Sequence, residues 1–97
     1  MSNLQHIVNN KIDYYLDDEG FPQGVCILYC GTGQIEVMRT YRDGKKHGEC
    51  IEYSGTGKVI AHRIFVDDEL VVGNAVGITE EEKFHYSLKY GITEWLS

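Results

Sequence analysis

Residues 20–43 read GFPQGVCILYCGTGQIEVMRTYRD, and residues 44–67 read GKKHGECIEYSGTGKVIAHRIFVD. The two segments align without a gap over 24 positions, of which ten are identical. Average residue usage would give roughly one or two identities by chance. The chain therefore contains a tandem repeat, and repeats of this kind form a common core only when neighbouring units stack.

Each unit carries the signals of a β-hairpin. In the first unit a run of β-forming residues, 25–30, is followed by the turn Gly31-Thr32-Gly33 and by an alternating stretch, 34–41. Asp43-Gly44 is a strong turn signal between the units. We therefore predict a mostly β fold, with stacked antiparallel β-hairpin repeats in one elongated sheet.

The repeats are predicted to extend over residues 12–72, with a first strand at 12–17 and a last one at 70–72. Residues 4–8 are predicted either to extend the first strand or to form a short helix. Because side chains alternate along a strand, two equivalent pairs share one face and are predicted to stack as core rungs. These pairs are Ile27 and Tyr29, and Ile51 and Tyr53.

Residues 79–97 have helical signals and are predicted to form a C-terminal helical cap on a single domain, 1–97. Thr79 with Glu82 three residues later makes a capping box, and Gly91 suits the position after the last helical residue. Trp95 is predicted to pack against the end of the sheet. The apolar side of the helix is predicted to consist of Phe84, Leu88 and Tyr90.

Composition limits the function classes. The 97 residues include fifteen acidic and nine basic side chains, and the only adjacent basic pair is Lys45-Lys46, which disfavours direct nucleic-acid binding. No apolar stretch reaches the ~18 residues of a membrane span. An odd count of three cysteines and an N-terminus without a basic and an apolar region predict a cytoplasmic protein with reduced thiols.

The stretch 41–53, YRDGKKHGECIEY, resembles a MORN repeat, in the variant found in bacterial antitoxin-like proteins and small phage proteins. The resemblance covers residues 12–72. It implies a non-catalytic module that binds another protein, such as an antitoxin or a phage-encoded inhibitor that blocks a host or defence protein by steric occlusion. The matching positions are Tyr41, Gly44, Lys45, Gly48, Tyr53, Gly57 and Val59, and more loosely Gly20, Gly24, Tyr29, Gly33 and Ile35.

Three cysteines with His47 and His62 raise the question of zinc or of thiol catalysis. Cys26 and Cys30 lie four residues apart in one predicted strand, about 13 Å at ~3.3 Å per residue, which is too far to share an ion. A nucleophile would also need an orienting group and an oxyanion site, and the sequence marks neither. We predict small buried thiols, no metal or cofactor, and no enzyme activity.

The predicted partner-binding residues are aromatic side chains and acidic turn tips. Aromatic residues dominate interface hot spots, and acidic tips steer a basic partner. Two alternatives stay open, namely an acidic mimic that occupies a nucleic-acid-binding protein and a structural module that self-assembles as a homo-oligomer through sheet edges. The predicted residues are Tyr14, Tyr15, Tyr41 and Trp95, with the tips Asp17, Asp18, Glu19, Asp67, Asp68 and Glu69.

Overall fold

The computed structural model describes residues 3–96. Seven strands form one sheet in chain order, each antiparallel to its predecessor, and one helix follows them. This arrangement confirms the predicted mostly β fold of successive hairpins with a C-terminal helix. The elements are β1 Gln5–Val8, β2 Ile12–Leu16, β3 Gly24–Tyr29, β4 Ile35–Arg42, β5 Lys45–Tyr53, β6 Val59–Val66, β7 Glu69–Val72 and α1 Glu80–Tyr90.

The first hairpin corrects the prediction for residues 4–8. Gln5–Val8 is a strand of its own that pairs antiparallel with β2, so these residues neither extend the first strand nor form a helix. Asn9 explains the reversal, because its side-chain oxygen accepts hydrogen bonds from the backbone N–H groups of Lys11 and Ile12 at 2.8 and 3.0 Å. An asparagine side chain that binds the backbone just after it closes a turn.

The repeat in sequence is also a repeat in turn geometry. Gly33 closes the β3–β4 turn with an N–H bond to the Cys30 carbonyl of 2.9 Å, and Gly57 closes the β5–β6 turn on Ser54 at 3.0 Å. Both glycines have positive φ, +86° and +85°, a conformation that costs glycine little. The two units therefore present equivalent turns at the same end of the sheet.

The pairing register assigns the strand side chains to two faces. Ile27, Met38, Ile51 and His62 pair across β3 to β6, and their side chains share one face. Ile64 lies two residues from His62 on that face and packs with the C-terminal residues. We call this the covered face and the opposite side the open face.

The core lies between the covered face and the C-terminal segment. Its fully buried members are Ile64, Ala75 and Ile92, one each from β6, the loop after β7 and the tail after α1. Tyr86 and Tyr90 of α1 pack against them. The short dimension of the molecule, 20 Å, matches two layers of about 10 Å each.

The helix begins and ends as predicted but presents a different side to the sheet. The Thr79–Glu82 capping box and the left-handed Gly91 are confirmed. Phe84 and Leu88, predicted on the packed side, are instead exposed at 66% and 72%. Residues three to four apart share a helix face, and the packed stripe is made by Lys83, Tyr86 and Tyr90.

Lys83 explains why the apolar pattern predicted the wrong packed side of the helix. Its side chain is buried, and its ammonium lies 3.3 Å from the Glu80 carboxylate. A lysine stem covers apolar surface while the charged head reaches a partner, so a charged residue can occupy a packed position.

Ile51 provides a stability test of the covered face, because it is only 3% exposed whereas Ile60 on the neighbouring strand is 66% exposed. We expect Ile51→Asp to lower the free energy of unfolding by about 4 kcal/mol or more, since it buries an unpaired charge. Ile60→Asp should change it by less than about 0.5 kcal/mol. Urea denaturation followed by circular dichroism checks both variants, and equal midpoints would contradict the burial of Ile51 in the core.

Candidate functional site

The open face is the candidate interaction surface. Contacts that fasten the C-terminal segment to the sheet involve covered-face positions, such as His47 with Tyr90 and Glu49 with Leu96. Helix α1, the one helix within residues 3–96, packs on the covered face, and on the other face Cys26, Val37 and Cys50 are nevertheless buried. Unpartnered faces of this kind mark interaction sites when they combine apolar and polar groups.

A row of alternating thiols and guanidinium groups crosses the open face. Cys26 pairs with Arg39, Arg39 with Cys50, and Cys50 with Arg63, so the row spans β3 to β6. The repeat generates this row, since Cys26 and Arg39 recur 24 residues later as Cys50 and Arg63. Cys26 and Cys50 share the row, but the β4 residue Arg39 lies between them.

The open face carries positive charge although the whole chain has a net charge of −6. Alternation places three cations, Arg39, Lys46 and Arg63, and one carboxylate, Glu52, on the open face of β4 to β6. Arg63 pairs with Glu52 at 3.8 Å, and the Lys46 ammonium lies 4.4 Å from the ring centre of Phe65. Both contacts confirm that these side chains share a face.

Arg39 is a fixed charge in the middle of this surface. Burial works against its charged form, but a hydrogen bond with Tyr41 and the proximity of Tyr41 and Cys50 outweigh it and raise the pKa of the guanidinium. The group therefore stays protonated under all ordinary conditions. A fixed cation beside an aromatic hydroxyl suits recognition of a carboxylate.

The predicted aromatic residues are distributed over different surfaces. Tyr14 and Tyr41 lie half-buried on the open face, because Tyr14 pairs with Ile7 and Tyr41 pairs with Lys46. Tyr15 points to the other side, where it stacks on His6 with ring centres 4.3 Å apart. Trp95 packs against the core cluster and donates its indole N–H to the Ser87 hydroxyl at 2.9 Å.

The first acidic tip, Asp17-Asp18-Glu19, uses one of its carboxylates to build its own turn. Asp17 accepts hydrogen bonds from the Gln23 amide at 3.0 Å and from the backbone N–H groups of Phe21 and Glu19 at 2.9 Å each. These bonds, led by that from Gln23, lower the pKa of the Asp17 carboxyl. The Asp18 and Glu19 side chains are exposed.

The second tip, Asp67-Asp68-Glu69, is likewise connected to the body of the sheet. Asp68 accepts a hydrogen bond from the Lys46 backbone N–H at 2.8 Å, and Asp67 lies 3.5 Å from the Arg42 guanidinium. Glu69 is exposed. Both tips lie at one end of the sheet, because each follows an even-numbered strand of the meander.

Gln23 connects the first tip to the turn between the units, a role that the sequence did not reveal. Its amide donates to Asp17 and to Asp43 at 3.0 and 2.8 Å, and its side-chain oxygen accepts from the Asp43 backbone N–H at 3.0 Å. One neutral side chain therefore links two repeat turns.

A buried polar pair was also missed by sequence reasoning. Glu49 on β5 is fully buried and accepts hydrogen bonds from His62 Nε2 at 2.9 Å and from the Leu96 backbone N–H. His47, two residues earlier, donates from Nε2 to the Tyr90 carbonyl at 2.8 Å. A signal existed in the repeat, because Glu49 stands where the first unit has the apolar Val25.

The cysteines have two kinds of environment. Cys26 and Cys50 are buried, and burial raises the pKa of the Cys26 thiol. Cys30 lies just beyond the end of β3, 3.0 Å from the Thr32 hydroxyl, and that side-chain hydrogen bond lowers the pKa of its thiol. Among the described residues, no three His, Cys, Asp or Glu side chains are grouped so that they could hold a metal ion.

No family model, no curated protein and no solved structure matches this chain. Within residues 3–96, no helix is long and apolar enough to cross a membrane. The resemblance to MORN repeats therefore stays a prediction.

Asp17 gives a pH-dependent test of the first tip. Its pKa is lower in the folded state than the ordinary 3.8, so its contribution to stability is present above pH 3.8 and is lost as the pH falls through the folded-state value. We expect Asp17→Ala to lower the melting temperature at pH 6, and the difference from wild type to shrink below about pH 4. Asp18→Ala is the control, and a pH-independent Asp17→Ala effect would contradict the carboxylate's role.

Thiol labelling tests the cysteine environments. We expect iodoacetamide to alkylate Cys30 before Cys26 and Cys50, because an accessible thiol of lowered pKa contains more thiolate. Thr32→Val should slow Cys30 labelling by removing the hydroxyl that stabilises this thiolate. Peptide mass spectrometry after timed quenching gives the rates. Labelling of Cys26 as fast as Cys30 would show that the Cys26 thiol is accessible to solvent.

Proposed function

We propose that this chain is a non-catalytic protein-binding module that docks its open face on an acidic surface of a partner protein. The observation that carries the proposal is the charge of that face, which has three cations against one carboxylate in an otherwise acidic chain. Complementary charge sets orientation and association rate at protein interfaces. The acidic remainder of the molecule repels the same partner elsewhere and so favours a single docking mode.

Aromatic and apolar groups of the open face supply the anchors in this proposal. Tyr14, Tyr41 and Phe65 surround the thiol–guanidinium row on β2, β4 and β6. Tyrosine and arginine are enriched among hot-spot residues, because they combine large contact area with hydrogen bonding. The mechanism is steric occlusion, in which a rigid sheet covers the partner's acidic working surface.

The biological role proposed is that of a cytoplasmic antitoxin or a phage-encoded inhibitor of a host or defence protein, as the resemblance to MORN repeats implies. Such an inhibitor needs a pre-formed surface and no catalytic group. The hydrogen-bonded network of turns at one end of the sheet supports this role, because it holds the strands in fixed register.

Self-assembly is a second candidate, favoured by the edges of the sheet. Within the part of the chain that the structure describes, β1 and β7 are the edge strands of the sheet, and Val8 on β1 and Leu70 on β7 are exposed. Unpaired strand edges bind other strands, including those of a second copy.

The test is affinity purification of the tagged chain from cells that naturally produce it, followed by binding measurements with the recovered partner. We expect Arg63→Ala and Tyr14→Ala each to weaken binding about tenfold, which corresponds to ~1.4 kcal/mol. The matched controls are Lys58→Ala for the charge and Leu88→Ala for the apolar contact, and neither should change the dissociation constant more than about twofold.

Three results would contradict the proposal. Binding could survive both open-face variants, or the controls could lose as much affinity as those variants. The chain could also be recovered without a partner at a fixed multiple of 11.1 kDa, which would favour self-assembly. Melting curves of each variant separate loss of binding from loss of folding.

A further inference from the structure

A groove crosses the covered face at the end of the sheet that carries the two Gly-Thr-Gly turns. Its volume is about 500 Å³, within the usual range of ligand-binding clefts. Two half-buried tyrosines from equivalent positions of the repeat line it, Tyr29 on β3 and Tyr53 on β5. The remaining lining consists of Ile35 on β4, Gln34, and the turn glycines Gly33 and Gly57.

Strand pairing places the two tyrosines at one level of the sheet. Ile27 pairs with Met38 and Met38 with Ile51, and the tyrosines lie two residues further along β3 and β5. Alternation therefore directs Tyr29 and Tyr53 to the covered face. The Tyr53 hydroxyl, which donates to the Met38 sulfur at 3.6 Å, confirms this direction. Because β4 lies between the two strands, the tyrosines recur at about 9.6 Å, two strand spacings of ~4.8 Å.

The spacing of the tyrosines selects one backbone conformation for a bound peptide. A polyproline II helix repeats after three residues of ~3.1 Å each, which gives about 9.3 Å. An α-helix repeats after ~5.4 Å and every second residue of a strand after ~6.7 Å, so neither matches the groove. A polyproline II segment that crosses the strands therefore places successive turns over Tyr29 and Tyr53. Its carbonyl groups have no internal hydrogen bonds, and the Gln34 amide is a donor for them.

A lysine marks one end of the groove. The Lys11 carbonyl, just before β2, accepts a hydrogen bond from the Tyr29 N–H at 2.8 Å, so Lys11 lies beside Tyr29 on the side away from Tyr53. Lys11 lines a second hollow that adjoins the groove at Tyr29 and Gly33. Its ammonium is exposed and forms no ion pair within residues 3–96, although Glu36 lines the same hollow. An acidic group on the ligand would complement this charge.

We infer that this groove binds a proline-rich segment of another protein in the polyproline II conformation, with an acidic residue of that segment beside Lys11. Aromatic grooves recognise such segments because the polyproline II helix is already formed before binding and loses little entropy. The inference does not rest on the proposed function. The groove lies on the covered face and shares no residue with the thiol–guanidinium row or its anchors, so each proposal can fail alone.

The experiment is a titration of the ¹⁵N-labelled chain with an acetylated, amidated peptide of one glutamate followed by six prolines. This peptide is about 20 Å long, enough to cover the three strand spacings from Lys11 to Tyr53. We expect it to shift the backbone amide signals of Gly33 and Gly57 saturably. It should also slow alkylation of Cys30, which lines the adjoining hollow.

Two control peptides separate shape from charge. In the first, alternating glycine and serine replace the six prolines, which keeps the charge and length but removes the preformed helix. In the second, lysine replaces the glutamate. We expect the first to give no saturable shift and the second to bind at least about threefold more weakly than the glutamate peptide.

Variants assign the contacts. Tyr29→Ala and Tyr53→Ala should each weaken binding of the glutamate peptide about tenfold, as expected for aromatic anchors. Tyr15→Ala, on the same face but four residues along β2 from Lys11, should change it less than twofold. Lys11→Glu should reverse the preference, so that the lysine peptide binds more tightly than the glutamate peptide. Lys45→Glu, at the opposite end of the sheet, should leave the preference unchanged.

Each outcome supports or overturns the inference. Absence of a saturable shift with the glutamate peptide would overturn it, and so would equally tight binding of the glycine–serine peptide. An unchanged preference in Lys11→Glu is equally decisive, because this exposed substitution does not threaten the fold. Full affinity in both tyrosine variants would exclude the groove. Movement of the Gly33 and Gly57 signals with protein concentration alone would show that a second copy occupies the groove instead.

Discussion

The arrangement of the molecule depends on a carboxylate that has no contact with water. Glu49 is fully buried in β5, and its oxygens accept from His62 on β6 and from the Leu96 backbone in the tail. Removing one partner from a buried charge costs about 3–5 kcal/mol. The tail must therefore return to the sheet on the side of Glu49, and α1 with it, which decides that the opposite face remains open.

Part of the fold could be predicted because local signals agreed with the global structure. Glycine turns at a fixed spacing and alternating strands predicted the hairpins, and Thr79 with Gly91 predicted both ends of α1. The side of the helix that packs could not be predicted, since Phe84 and Leu88 have the more apolar pattern. The sheet instead packs against Tyr86, Tyr90 and the stem of Lys83, whose ammonium reaches the Glu80 carboxylate.

The candidate site was less accessible to sequence reasoning than the fold. Counting charges identifies acidic tips, but it does not show that the Asp17 carboxylate is occupied by donors from its own turn. A positive open face appears only after the register brings Arg39 and Arg63 into one row of a chain whose total charge is negative. Surface charge is thus a property of strand pairing, which composition cannot report.

The duplicated unit makes the open face nearly periodic. Neighbouring strands lie about 4.8 Å apart, and each unit contributes two strands. The cysteine–arginine pair of one unit therefore recurs about 9.6 Å away across the sheet. That distance is close to the ~10.5 Å that separates residues seven apart on a helix. A partner group that fits one unit therefore meets a near copy beside it. The copies differ on this face at several positions, among them Leu28, whose equivalent is Glu52, and Tyr41, whose equivalent is Phe65, and these differences decide the alignment along the sheet. The two units therefore share their strand spacing and differ in the side chains that a partner would contact.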